Sequence, residues 1–168
     1  MRLPVARLLF PAFALLAGCA EFSPDGGMAP VVESARSDLG LEATKIADDL
    51  DAARAGERVR ALLRKGLTAD RAVQIALVNN MGLQAAYNDL GVSEAKFVQA
   101  SLPPNPAVSL LDLRGHMEFS AEQRLIGDLL ALATLPRRRE IALAAYRKAQ
   151  LAAVAATLRL AIDVRRQY

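Results

Sequence analysis

The sequence predicts a mainly α chain interrupted by one β-hairpin, and three observations carry that expectation. Apolar residues recur in alternating four- and three-residue steps over 68–101 and again over 137–168, the spacing that lines one face of a helix. Between these stretches Leu102-Pro103-Pro104-Asn105-Pro106 stops a helix, because three prolines deny amide donors and disfavour helical backbone in the residues before them. Beyond that block Ala107–Arg114 alternates with a two-residue rhythm, the mark of a strand with one face buried. The 168 residues suffice for one ordinary domain with a sizeable core.

The first element is a leader. Arg2 and Arg7 flank a basic start, and the apolar run Leu8–Leu16 is too short to span a bilayer stably. Small residues then lead to Cys19, the only cysteine of the chain. A basic start, an apolar middle and a small-residue exit make residues 1–18 a secretory signal peptide. Leu16-Ala17-Gly18-Cys19 resembles a bacterial lipoprotein processing site, where the Cys19 sulfur takes a diacylglyceryl group and Cys19 becomes the first mature residue. Ala20, in place of aspartate, resembles lipoproteins released for delivery to the outer membrane. That covalent lipid is the only expected prosthetic group. Removing Met1–Gly18 takes away two arginines, so the net charge falls from +3 to +1. With the one thiol lipidated no disulfide remains, and stability has to come from packing or partners. Basic residues are dispersed and aromatics make up 5% of the chain, which gives no nucleic-acid signature. No later apolar stretch is long enough for a transmembrane helix, so any membrane crossing has to be β-structure.

Residues 19–36 are expected to form a lipidated tether, with Pro24, Gly26, Gly27 and Pro30 preventing regular structure over Ala20–Pro30. Residues 37–66 are charged and alanine-rich with sparse leucines, predicting one or two short helices broken near Gly56. Asp48, Asp49 and Asp51 are read as the solvated face of a helix. The helix over 68–101 has Thr68 as N-cap and Asp70 in its first turn, where a negative charge suits the dipole. Asn79-Asn80-Met81-Gly82 weakens its pattern before Leu83, Tyr87, Leu90, Glu94 and Phe97 restore it. The hairpin is placed at 107–135, turning at Gly115-His116, but Glu122–Leu135 carries two readings. Leu125, Gly127, Leu129, Ala131, Ala133 and Leu135 share one strand face, while the leucine and alanine content equally favours helix. Pro136 closes this segment.

The helix over 137–168 carries two apolar stripes. Ile141, Lys148, Ala155 and Ile162 repeat every seven residues with Ala144, Leu151 and Leu158 between them. Leu143, Tyr146, Ala153, Val154, Thr157, Leu160 and Val164 lie on nearly the opposite side. Two opposed stripes predict a helix packed on both flanks, as a stave is in a wall. The periodicity runs to Tyr168 with no glycine cap, as in a helix cut midway.

Three stretches carry a family resemblance. Leu67-Thr68-Ala69-Asp70-Arg71-Ala72-Val73-Gln74-Ile75-Ala76-Leu77-Val78-Asn79-Asn80 resembles the opening helix of the TolC-like outer-membrane efflux factors. So does Leu83, followed by Ala95 through Gln99-Ala100-Ser101-Leu102-Pro103-Pro104-Asn105-Pro106. Leu135-Pro136-Arg137-Arg138-Arg139, leading into an alanine-rich helix, is similar to that family's return into its periplasmic tunnel. The likeness covers residues 67–168 and includes the order of elements. It implies long coiled-coil-like helices of an α-barrel wall flanking two membrane β-strands, in a homotrimer that shares one barrel. Only the amino-terminal portion of the family pattern is matched, and its second half is not. Implied with it are an outer-membrane location in a Gram-negative bacterium, lipid-anchored and facing the periplasm, and a periplasmic adaptor and inner-membrane pump as partners. Export of small solutes or metal ions would be the function.

Within that frame Pro103, Pro104, Asn105, Pro106 and Pro136 form the structural junction between barrel and tunnel, where prolines fix the redirection of the chain. Arg137, Arg138 and Arg139 have two readings: contacts to anionic groups at the membrane face, or a solvated helix start. His116-Met117-Glu118 does not supply a closed coordination sphere, so no metal site is assigned. No catalytic constellation is visible, and no enzyme is expected. The alternative function is a non-transporting periplasmic lipoprotein that offers its helices as a scaffold, or a degenerate remnant of a channel.

Overall fold

A computed structural model describes residues 21–103 and 117–168, with side chains in the last helix described from Leu129 onward. Five helices follow in order: α1 (Ala29–Leu39), α2 (Asp49–Arg64), α3 (Ala69–Asn79), α4 (Met81–Ser101) and α5 (Met117–Gln167). No strand occurs among the described residues. The chain is mainly helical.

α1 begins inside the region expected as tether, 19–36, and runs past its end to Leu39, and packing explains the difference. Pro30 sits in its first turn, where a missing N–H costs nothing. Val31 and Ala35 are completely buried against α5, so a short apolar face outweighs the breakers around it. Gly40 ends the helix in the left-handed conformation, φ 65°, with its N–H on the Arg36 carbonyl. The next interruption is here and not at Gly56, which α2 passes through without a break. Asp48 caps α2 by accepting from the Asp51 N–H at 2.8 Å, and the Asp51 carboxylate reaches back to the Ala47 N–H at 3.3 Å. The acidic cluster is therefore a reciprocal cap.

The segment between α1 and α2 is extended, and two buried glutamines stand in for the strand it lacks. The Gln74 amide donates to the Glu42 carbonyl at 2.8 Å and accepts from the Glu42 N–H at 3.0 Å. The Gln84 amide does the same across Thr44 and Ile46, at 2.9 Å each. A primary amide presents the donor and acceptor of a peptide, so each satisfies a piece of backbone that would otherwise be left unpaired.

The helix expected over 68–101 is two helices. Asn80 has extended backbone, receives the end of α3, and caps α4 by accepting from the Leu83 N–H at 2.9 Å. Thr68 caps α3 through the Arg71 N–H. Both helices run antiparallel to α5. Tyr168 donates from its hydroxyl to the Leu67 carbonyl at 3.1 Å at one end, and Phe97 stacks on Tyr146 at 5.8 Å near the other. Between these points Val73, Leu77, Leu83, Tyr87 and Leu90 close a core with Val31, Ala35, Ala153 and Ala161.

The hairpin over 107–135 is corrected on its second arm. Residues 107–116 lie outside the described residues, but 117–135 belong to α5, which starts twenty residues before the expected 137. Leucine and alanine favour helix, and a helix satisfies its own backbone whereas a lone strand leaves an edge unpaired. Pro136, expected to close the segment, sits inside α5. Its ring removes the helical bond to the Leu132 carbonyl, and two carbonyls just before that one carry side-chain donors. The Thr134 hydroxyl donates to the Leu130 carbonyl at 2.9 Å, and the Arg138 guanidinium to the Ala131 carbonyl at 2.9 Å.

Candidate assembly face and anchoring segment

Of the two stripes on α5, one is used inside the chain and the other is open. Ala153, Thr157 and Ala161 are buried, with Leu143, Tyr146, Val154, Leu160 and Val164 half-buried beside them. Small alanines let α5 approach α1, α3 and α4 closely. At the centre the Tyr87 hydroxyl meets the Thr157 hydroxyl at 2.9 Å, and Thr157 passes its own proton to the Ala153 carbonyl. Tyr87 is therefore the donor to Thr157. Burial raises its pKa above the ordinary 10.0. On the opposite side Ile141, Leu151 and Ile162 are 70%, 69% and 50% exposed, in register with exposed Ala144 and Lys148, while Ala155 and Leu158 of the same stripe are half-buried. Leu129, Leu130 and Leu132 extend exposed apolar surface toward the start of α5. Scattered exposed leucines are ordinary, whereas a stripe repeating every seven residues along one helix is the pattern of a partner face.

The stretch just after Cys19 is clamped to the bundle. The Glu94 carboxylate of α4 accepts from both the Ser23 N–H, at 2.7 Å, and the Ser23 hydroxyl. The Ser23 oxygen in turn accepts from the Gly27 N–H at 2.7 Å, and Gln150 of α5 donates to the Gly27 carbonyl at 3.3 Å. Gly27 has φ 80°, and a Cβ there would collide with the Tyr146 hydroxyl, so both backbone and space demand glycine. The Lys45 ammonium lies against Gly26 and Gly91, one turn from Glu94. Burial raises the Tyr146 pKa above 10.0; the Ser23 bond opposes the rise, and the Glu94 and Asp25 charges add to it.

The sequence-predicted site residues are only partly brought together. Cys19, Pro104, Asn105, Pro106 and His116 lie outside the described residues. Pro103 is exposed at the end of α4, and Arg137, Arg138 and Arg139 are exposed on α5. Arg137 pairs with Glu140 at 3.1 Å, and Arg138 is turned back onto its own helix. Ser23, Gly27, Glu94 and Tyr146 were not singled out as a site by sequence reasoning. Glu94 on an otherwise apolar stripe was the available signal, since a buried carboxylate needs a partner. Elsewhere a surface depression of about 600 Å³ is lined by Arg54, Glu57, Arg58, Arg60, Ala61 and Arg64, all on α2. One helix supplies every side chain, so no facing wall converges on a ligand. Among the described residues no three His, Cys, Asp or Glu side chains gather to hold a metal, and no helix is long and apolar enough to cross a membrane. No family model, curated protein or solved structure matches this chain.

Proposed function

We propose that this chain contributes a wall element to the outer-membrane channel of a tripartite efflux system. In this reading it is lipid-anchored at Cys19 and passes small solutes or metal ions outward while a pump in the inner membrane supplies the energy. The observation that carries the reading is the second stripe of α5, where Ile141, Leu151 and Ile162 stand exposed while the opposite side is packed. A helix in a tunnel wall needs a neighbour on each flank, and here one flank is filled from within the chain. Copies of the chain, arranged as a homotrimer, would fill the other. Arg137 and Arg139 would face the membrane surface.

Membrane strands enter this reading only through assembly. Strands of neighbouring subunits would offer 107–135 the edge partners that a lone chain lacks, and α5 would then begin near Pro136. The rival reading, a periplasmic lipoprotein scaffold, is favoured by the helical state of 117–135, which needs no such partners. Conductance in planar bilayers separates the two. Protein extracted from outer membranes should give discrete conductance steps if it belongs to a channel, and a silent bilayer at the same protein density favours the scaffold.

A further inference from the structure

Among the described residues the hydrophobic core begins at Met28 and draws on nothing before it. Residues 23–27 are nevertheless fixed by a set of polar bonds, and their acceptor, Glu94, is only 4% exposed. Packing alone would place an apolar side chain at this position of α4, since a buried carboxylate is costly without partners. The partners come from Ser23, which lies four residues after Cys19. Four residues reach at most about 14 Å, whereas a chain free back to Met28 would reach about 30 Å. The clamp thus confines the point of acylation to the neighbourhood of Glu94.

That neighbourhood is near one end of the bundle. Glu94 lies in the second half of α4, one turn before the Phe97–Tyr146 stack. Past the stack come exposed Leu102, the three arginines and the stretch of α5 that bears exposed Leu129, Leu130 and Leu132. The turn between α2 and α3, with Leu67, lies at the opposite end against Tyr168. Phe22, directly ahead of Ser23, is exposed and takes no part in the core. An aromatic next to an acyl anchor suits the boundary between headgroups and chains.

We infer that the Ser23–Glu94 clamp turns the lipidated amino terminus from a swivel into a strut, holding the bundle with its Leu102–Arg139 end toward the phospholipid surface and its Leu67 end away. The inference depends on Cys19 carrying lipid, as in the reading above. The clamp adds what a lipid alone does not provide: a fixed orientation, with the arginines and exposed leucines presented to the bilayer.

The chain contains no tryptophan, so single reporters can be placed at Leu102→Trp and at Leu67→Trp. The protein recovered from membranes is put into phosphatidylethanolamine–phosphatidylglycerol vesicles holding a trace of dansyl-headgroup lipid, and energy transfer to dansyl is measured. Transfer from position 102 should exceed that from position 67 at least twofold. Glu94→Ala should bring the two to the same value, with the far-UV circular dichroism unchanged. Glu94→Gln keeps an oxygen for both Ser23 donors and should keep the contrast. Gly27→Val attacks the clamp from the Tyr146 side and leaves Glu94 in place, and it decides the matter if Glu94→Ala does not fold. Equal transfer in the parent protein, or a full contrast in a folded clamp variant, overturns the inference. Mass spectrometry of the amino-terminal peptide tests the lipid reading separately. If Cys19 is unmodified, a maleimide phospholipid coupled to that single thiol allows the same comparison.

Discussion

Single side chains decide more of this molecule than their number suggests. Tyr87 is neutral in the folded state and has a raised pKa, so the unfolded chain loses its proton first as the pH climbs. Its contribution is intact below pH 10 and is lost as pH rises through the folded value, because deprotonation then favours the unfolded chain. Urea melts between pH 8 and 11 should show stability falling above pH 10, less steeply in Tyr87→Phe. At pH 8 that variant should lose about 1 kcal/mol, since Thr157 keeps its bond to Ala153. Gln74→Leu removes the partners of the Glu42 N–H and of the Glu42 carbonyl, and a loss of about 1–3 kcal/mol is expected. Hydrogen exchange should locate that damage at the Glu42 amide. Neither glutamine role was legible in the sequence, because a glutamine on a helix is usually solvated and its backbone partner is thirty or more residues away.

At the scale of elements, periodicity placed helices where apolar residues repeat and local chemistry set their ends. Thr68 announced α3 by its position ahead of the repeat, and Asn79-Asn80 marked the interruption that became the joint between α3 and α4. α1 was hidden because eleven residues with two prolines and two glycines nearby look like linker until α5 is present to cover Val31 and Ala35. The 122–135 stretch carried two readings in the sequence because a strand there needs edge partners, which periodicity does not report. Pro136 tests this directly. Pro136→Ala should stabilise the helical form of α5, by up to about 3 kcal/mol locally, and increase protection from exchange around Leu132. If 117–135 must leave the helical form to assemble, the same substitution should reduce the amount of assembled protein in outer membranes. Unchanged protection around Leu132 would mean that Pro136 does not limit the helix.

For the whole molecule, the two-stripe pattern of α5 was the most informative part of the sequence, and the structure assigns each stripe a different fate. One closes the core, and the other is exposed along Ile141, Leu151 and Ile162. What covers the exposed stripe was not legible, since periodicity reports that a face is apolar and leaves its partner unspecified. Cys19→Ser removes the sulfur that takes the diacylglyceryl group, and mass spectrometry of the amino-terminal peptide should then show no acyl chain. The central proposal is that the open stripe is a wall contact between copies of this chain. Photo-cross-linking in whole cells, with benzoylphenylalanine at Ile141, Leu151 or Ile162, addresses it most directly. Cross-links between copies of the chain, building to a trimer and absent when the probe replaces buried Leu77, are the expected result. Stripe probes that capture no second copy while the protein sits in the outer membrane would contradict the wall reading.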